Sequence, residues 1–315
     1  MSGIVALTGA TGFVGAAAAR SLAAAGWRVR VLVRRMPQAA LMPDHCLEVV
    51  LGDLDDAASL QRLLGGCDAI VHSAGLVRAL TPLEFFRVNE GGTAQLLEVA
   101  ARIAPTARFL QISSLAAREP QLSPYAASKQ AAEAKLAALA GARDWIALRP
   151  PAVYGPHDHE LLPLFKAAKL GFLAYPASPG ARVSTIHVAD LATAIVSTLQ
   201  MPIWSQRIVE LDDEHPGGHD WMEIVETLGH CFGKHPQAVR LPRPMMEPIA
   251  WGMSIVSALT GHAQVLSWQK VAELYHADWV ARGPRLSELA PWRPRFSLAD
   301  GFADTLRWYR AEALL

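Results

Sequence analysis

A doubly wound parallel α/β sheet is the fold class this sequence predicts, on three observations. An apolar run at residues 4–7 leads at once into the glycine turn TGATGFVG (8–15) and an alanine-rich helical stretch that ends at Gly26. Further apolar runs of strand length, near 27–33, 47–51, 68–72, 108–112 and 145–148, alternate with helical stretches. The connections are short and contain no repeat or low-complexity tract, as parallel strands joined through helices require. Strands buried on both faces need no polar alternation, so they read as continuous apolar runs.

The 315 residues suffice for one large unit with a grafted lobe. Residues 1–154, with 183–211 returning to them, are assigned to the dinucleotide-binding unit. Residues 155–182 and 212–315, where the alternation breaks up and Pro, Gly and Trp become frequent, are assigned to a smaller substrate lobe. Lys+Arg and Asp+Glu balance at 29 each, so no overall field recruits nucleic acid or anionic lipid, which leaves room only for a local basic site. Cys46, Cys67 and Cys231 are far apart and lack ligand spacing, which points to a reducing, cytoplasmic setting rather than a disulfide framework. An apolar strand pattern begins by Gly3, leaving no room for a cleavable signal. The longest apolar run, 248–260, is short of the ~20 residues of a membrane span. It is expected to be a buried or pocket-lining helix, with shallow membrane contact as the lesser reading.

Taken in order, Gly9, Gly12 and Gly15 are spaced GxxGxxG, one residue wider in the first gap than the common dinucleotide fingerprint. Glycines there allow a tight turn and close approach of a pyrophosphate to a helix N-terminus, although close packing alone also selects them. The second strand ends in Arg34 and Arg35, where an NAD-binding fold usually places an acid. A guanidinium suits a ribose phosphate, so NADP(H) is favoured over NAD(H), unless the pair is a solvated edge. Asp53 is read as an adenine contact or a turn carboxylate. His72 closes the fourth strand as a hydrogen-bonded core residue, and the small residues Ser73, Ala74 and Gly75 after it let a cofactor lie close. A long helix over 82–104, interrupted by Gly91 and Gly92, carries Asn89 and Thr93. Ser113 and Ser114 stand at the carboxyl end of the fifth strand, the edge where open parallel sheets bind ligands.

The segment SPYAASK (123–129) then sets a phenol and an ammonium one helical turn apart. Ser123 is a good N-cap and Pro124 a good first residue, so Tyr125 and Lys129 fall on one face of a new helix. A fixed ammonium near a phenol lowers its pKa from ~10, which suits proton transfer.

These segments, together with GDL (52–54), HSAG (72–75), RPPAVYGP (149–156) and STIHVADLA (184–192), resemble the extended short-chain dehydrogenase/reductase family of NAD(P)-dependent epimerases and dehydratases. The resemblance covers about the first two-thirds of the chain. It implies that Ser114, Tyr125 and Lys129 form the catalytic group. It implies that Gly9, Gly12 and Gly15 surround the pyrophosphate, with Thr11, Gly12, Phe13 and Val14 supplying backbone donors. Asp53 and Leu54 would border the adenine, and Ser73, Ala74, Gly75, Asn89, Pro151 and Val153 would line the rest of the cofactor, with Lys129 also on the nicotinamide ribose. His187 and Asp190 would be structural.

The departures from the family pattern disfavour two of its reactions. Leu115 and Ala116 stand where dehydratases of the family carry an acidic pair, and Val183 where many sugar-nucleotide epimerases carry a phosphate-binding arginine; Arg182 is adjacent. The nearer resemblance is to the dihydroflavonol-reductase and 3β-hydroxysteroid-dehydrogenase branches. The expected activity is therefore hydride transfer between a nicotinamide and a secondary alcohol or ketone of a bulky, apolar, sterol-, terpenoid- or flavonoid-like substrate. A nucleotide-sugar epimerase is the nearest alternative, and a non-catalytic cofactor sensor or assembly subunit is one of another class. Met245, Met246, Trp251 and Met253 are candidates to line the substrate pocket. His157, His159, His215 and His219, with Asp158 and Asp220 nearby, show no compact ligand spacing, and no metal is expected. The alanine-rich face over 126–140 suits close helix packing, and the resemblance implies a homodimer through it.

Overall fold

The computed structural model describes residues 3–36, 47–260 and 268–315. The chain runs β1 (Ile4–Thr8), α1 (Phe13–Ala24), β2 (Arg28–Val33), β3 (Leu47–Leu51), α2 (Ala57–Leu64), β4 (Ala69–His72), α3 (Pro82–Phe85), a π-helical turn (Phe86–Gly91), α4 (Gly92–Ile103), β5 (Arg108–Ile112), α5 (Pro124–Leu139), β6 (Trp145–Arg149) and β7 (Ala152–Tyr154). It continues α6 (Leu162–Leu170), β8 (Phe172–Pro176), β9 (Arg182–Val183), β10 (Thr185–His187), α7 (Val188–Gln200), β11 (Arg207–Glu210), β12 (His219–Asp220), α8 (Trp221–His230), β13 (Gln237–Leu241), α9 (Arg243–Thr260), α10 (Trp268–Leu274), β14 (Asp278–Trp279), α11 (Leu286–Leu289) and α12 (Leu298–Ala311).

Seven strands form one parallel sheet in the order β11-β6-β5-β4-β1-β2-β3. The chain moves outward from β1 through β3 and then crosses to β4, so β1 and β4 diverge at a topological switch point, where doubly wound sheets bind their ligands. Val5 and Leu7 face a core shared with Leu22 of α1 and Ile195 of α7, while Ala6 and Ile70 face one shared with Leu63 of α2 and Leu96 of α4. Local chemistry sets the helix starts: the side chains of Asp56, Ser123, Asp220 and Ser297 accept from the first turns of α2, α5, α8 and α12. A separate apolar core, with Phe165, Leu173, Ile224, Leu228, Phe302 and Tyr309, gathers α6, β8, α8 and α12.

The structure departs from expectation in two elements. The helix predicted over 82–104 is not broken at its glycine pair; its second turn widens to a π-helix that contains the buried Asn89. The apolar helix of the last third is not simply buried: Met246 and Ala250 pack inward against Val271 and Tyr275, whereas Met245 and Trp251 face solvent and so line no internal pocket. Among the described residues, one stripe of α9 packs on α10 and the residue after it. Cys46 lies outside the described residues, and Cys67 and Cys231 are free thiols.

Candidate active site

The turn between β1 and α1 is built on its glycines. Gly9 has φ +75°, and a Cβ there would lie 2.6 Å from the Ala74 nitrogen; one on Gly15 would lie 2.0 Å from the Gly9 oxygen. Turn and helix thus close onto β4 only without side chains at these two positions. Gly12, the N-cap of α1, differs, for its Cβ would meet only the Gly9 oxygen at 3.3 Å and otherwise point into open space. Two glycines close the turn and the third leaves a bare concavity before a helix N-terminus, which is the division of labour a pyrophosphate cradle requires. Thr11 and Gly12 are exposed at its rim, while Phe13 and Val14 are half-buried behind it. The residues present therefore fit a dinucleotide.

At the same edge, the side chain of Ser114 hydrogen-bonds that of Tyr125 and also accepts from the Ala116 nitrogen at 3.1 Å. Burial pushes the phenol up to about 12, with Glu273 and Glu160 adding to the rise and the Ser114 bond opposing it. The sequence-based electrostatic expectation is thereby corrected. Lys129 does not pull the phenol down, because its Nζ donates to the Ile112 carbonyl at 2.8 Å. Its own pKa falls to about 8, since burial disfavours the ammonium and Glu133 only partly compensates. At neutral pH the pair is thus a protonated phenol, ready to donate, beside a lysine that is still mostly charged. Nζ lies beside Gly75: a Cβ there would come within 3.9 Å of it.

Buried polar groups fix this constellation. Asn89 accepts from the Leu76 nitrogen at 2.7 Å and donates to the Leu76 oxygen at 3.1 Å and to Ser128 at 2.8 Å, clamping the loop after β4 to α5. His72 bonds Thr8 at 2.7 Å and Thr93 at 3.1 Å, and burial drives its pKa down to about 3, so it is neutral. It is the core residue anticipated. Ser113 donates to Glu133, whose carboxylate takes a bidentate grip from Arg149 at 2.8 and 2.6 Å; of the two serines, that leaves Ser114 to the phenol.

Two residues that sequence reasoning did not single out reach the phenol from α10. Lys270 places its ammonium 5.1 Å from the centroid of the Tyr125 ring. Buried Glu273 pairs with Lys270 and accepts from Ser123, the N-cap of α5. No local pattern marks them, for the contact spans 150 residues of chain.

The remaining expected positions fall as follows. Arg34, Arg35 and Asp53 are exposed at the carboxyl edge, Leu54 is buried against Gly92, and Ser73 and Ala74 are half-buried beside Gly9, with Gly75 exposed. Half-buried Val153 packs near Phe13, and Pro151 is also half-buried. Arg182 is committed to the carbonyls of Gly217 and Gly218, both at 2.6 Å. His187 stacks on Phe296, and Asp190 accepts from the Arg295 and Phe296 nitrogens, both at 3.0 Å; each ties α7 to the segment before α12.

Among the histidines, His215 and His219 do converge, with Glu223 rather than Asp220; their ligand atoms lie within 4.8 Å of one another. Both ring nitrogens of His219 are taken by carboxylates, Asp213 at 2.6 Å and Glu223 at 2.8 Å, which raise its pKa against burial. Two carboxylates on one ring favour its charged form over what burial alone would allow.

Residues 5–210 match the NAD dependent epimerase/dehydratase family. The chain is 42% identical to the ceramide reductase of Caulobacter vibrioides, over 99% of its own length and 96% of that protein's. It is 30% identical to the 4-hydroxy-2-methyl-3-oxo-4-farnesyl-3,4-dihydroquinoline-1-oxide ketoreductase of Stigmatella aurantiaca, over 60% and 62% of the two chains. A crystal structure of UDP-glucuronic acid 4-epimerase from Bacillus cereus with NAD superposes with a TM-score of 0.73 at 17% identity, covering 98% and 99%.

Proposed function

Because the chain belongs to the NAD dependent epimerase/dehydratase family, within the extended short-chain dehydrogenase/reductases, we propose that it reduces the ketone of a bulky apolar substrate to a secondary alcohol. The observation that carries this reading is the Ser114–Tyr125 pair, with the phenol held protonated up to about 12 at the carboxyl edge of the sheet. A reduction needs a proton donor at the carbonyl oxygen, and a phenol that keeps its proton at neutral pH provides one.

The glycine cradle, Ser73 to Gly75 on the loop that Asn89 clamps from behind, Pro151 and Val153 would hold the dinucleotide, and Arg34, with Arg35, its ribose phosphate, which favours NADP(H). Reduced nicotinamide supplies the hydride when bound. Ser114 orients the substrate oxygen, and Tyr125 donates its proton to that oxygen as it turns into an alkoxide. Lys129, held on the Ile112 carbonyl and lying beside Gly75, would reach the nicotinamide ribose. Residues 155–182 and 212–315 would form the substrate lobe. The names of the relatives, a ceramide reductase and a farnesyl-quinoline ketoreductase, support a long-chain or isoprenoid ketone. Arg182, spent on backbone carbonyls, offers little to a nucleotide's phosphates, which weighs against the sugar-nucleotide epimerase. Two copies pairing across the outer alanines of α5 is a corollary that light scattering would test.

The deciding assay follows the absorbance of NADPH over a panel of long-chain, sterol and flavonoid ketones. Stoichiometric oxidation with one of them is the expected result, and Arg34→Glu should weaken NADPH but not NADH. Interconversion of a UDP-sugar without net oxidation of cofactor would replace the reductase with an epimerase.

A further inference from the structure

The two segments 162–180 and 231–253 carry a surface unlike the rest of the molecule. They form the outer side of β8 and β13, the turn before β8 and the exposed stripe of α9. Leu170 is 83% exposed, Phe172 48%, Val239 42%, Met245 59%, Ile249 52% and Trp251 64%. These are large side chains that water disfavours, set on or just before two paired strands and on the helix that follows the second. Phe172 lies across from Gln237, and Ala174 from Val239, in the parallel ladder, so Phe172 and Val239 share the outward face. β13 runs through Pro242 directly into α9, whose Met246 and Ala250 pack inward on α10 and leave Met245 and Ile249, four residues apart, on the outer side.

Charge is distributed with the same bias. The two segments hold Lys166, Lys169, Lys234, Arg240 and Arg243 against a single acid, Glu247, in a chain whose acidic and basic residues cancel only overall. Lys234 donates to the Lys169 carbonyl, which brings two of these cations to the same edge as Leu170 and Phe172. Large apolar groups on segments rich in lysine and arginine match a surface in which hydrocarbon lies just beneath negative headgroups. No helix among the described residues is long and apolar enough to cross a membrane.

We propose that this face docks on the surface of a membrane containing anionic phospholipid. Its position gives the docking a use. α9 rests on α10, and α10 carries Lys270 over the Tyr125 ring and Glu273 against Ser123. Two packed helices therefore separate the docking face from the phenol, a short path for a ketone too apolar to cross water. The docking stands on surface chemistry and does not depend on the reaction proposed above.

The test is co-sedimentation of the full chain, without substrate or cofactor, with vesicles of phosphatidylcholine alone and vesicles that are roughly one-third phosphatidylglycerol. The chain should pellet with the anionic vesicles, remain in solution with the neutral ones and be released by salt. Each cation at an anionic leaflet contributes roughly fivefold to the binding constant, so Lys169→Glu with Lys234→Glu should weaken binding by about 25-fold or more. Ile249→Ser with Trp251→Ser should weaken it roughly tenfold without altering the circular dichroism spectrum or melting temperature, because both side chains are exposed. Retention in solution with both vesicles overturns the proposal. Binding indifferent to both pairs of variants does so too, as does a dimer that the serine pair dissociates, which would assign the face to a second copy of the chain. Ketone reduction is assayed separately, so failure of either reading leaves the other standing.

Discussion

The sheet edge that carries Ser114, Tyr125 and Lys129 and the C-terminal elements that cover it follow different rules. On the sheet side, function is written in backbone geometry: a glycine at φ +75°, a strand end, one turn of helix. On the other side it is written in side chains that meet across the fold, such as Ser123 with Glu273 and Lys270 with Tyr125. The first kind of constraint is satisfied by a few consecutive residues and survives almost any packing around it. The second exists only once the chain has folded. Chemistry is thus fixed locally in this protein, while access to it is fixed globally.

If that division holds, the largest effect should come from the local side. Tyr125→Phe removes the proposed proton donor but keeps the ring that packs edge-on against Phe85, so kcat should fall by about 10³-fold while the Kd for NADPH changes less than about twofold. Single-turnover kinetics and a fluorescence titration measure the two. A variant that kept its kcat would show the proton coming from elsewhere.

The glycine turn sharpens the same point, because its members should fail differently. Gly15→Ala forces a Cβ to 2.0 Å from a backbone oxygen that cannot yield, costing about 3 kcal/mol and lowering the melting temperature. Gly12→Ala meets only a 3.3 Å neighbour and should melt close to the parent while binding NADPH at least about tenfold more weakly. Equal losses of stability in both would mean that the turn is there for packing alone.

Most of the sheet side was legible in the sequence for this reason. The succession of strands along the chain, the return of 207–211 to the sheet, the cap at Ser123 and the structural part played by His72 all follow from short patterns that the structure reproduces, whereas the order of the strands within the sheet comes from the structure. Charge was less legible than position. SPYAASK places Lys129 one turn from Tyr125, but only the packed structure shows the ammonium spent on the Ile112 carbonyl and the phenol raised rather than lowered. The exposed stripe of α9 was hidden for a similar reason: an apolar helix reads alike whether one face or all of it is covered. His215, His219 and Glu223 stand four residues apart, but the histidines were weighed with Asp158 and Asp220, and it is the first turn of α8 that brings Glu223 to them.

The sheet side also sets an acid limit. His72 is neutral when folded, with a pKa near 3, but takes a proton below about 6.5 when unfolded. Between those values the unfolded chain binds more protons, so its share of stability is complete above pH ~6.5 and is lost as pH falls toward 3, by up to about 1.4 kcal/mol per pH unit. Urea unfolding at a series of pH values should show that slope, and His72→Gln should flatten it. An unchanged slope would mean that other groups govern acid unfolding.

The smallest effect concerns whether the C-terminal side enters the chemistry at all, and Glu273→Gln asks it directly. Glutamine still accepts from Ser123, so the join between α5 and α10 is kept, but the negative charge is gone. That charge is one of the causes holding the phenol up, and it also neutralises Lys270 above the ring. Both changes favour the phenolate, and the Tyr125 pKa should move down from about 12. The alkaline limb of the kcat/KM profile should shift to lower pH with it, whereas kcat at neutrality changes by less than about threefold, since the phenol remains protonated there. A limb that stays in place would confine α10 to covering the site, and the proton donor would then be tuned by the sheet side alone.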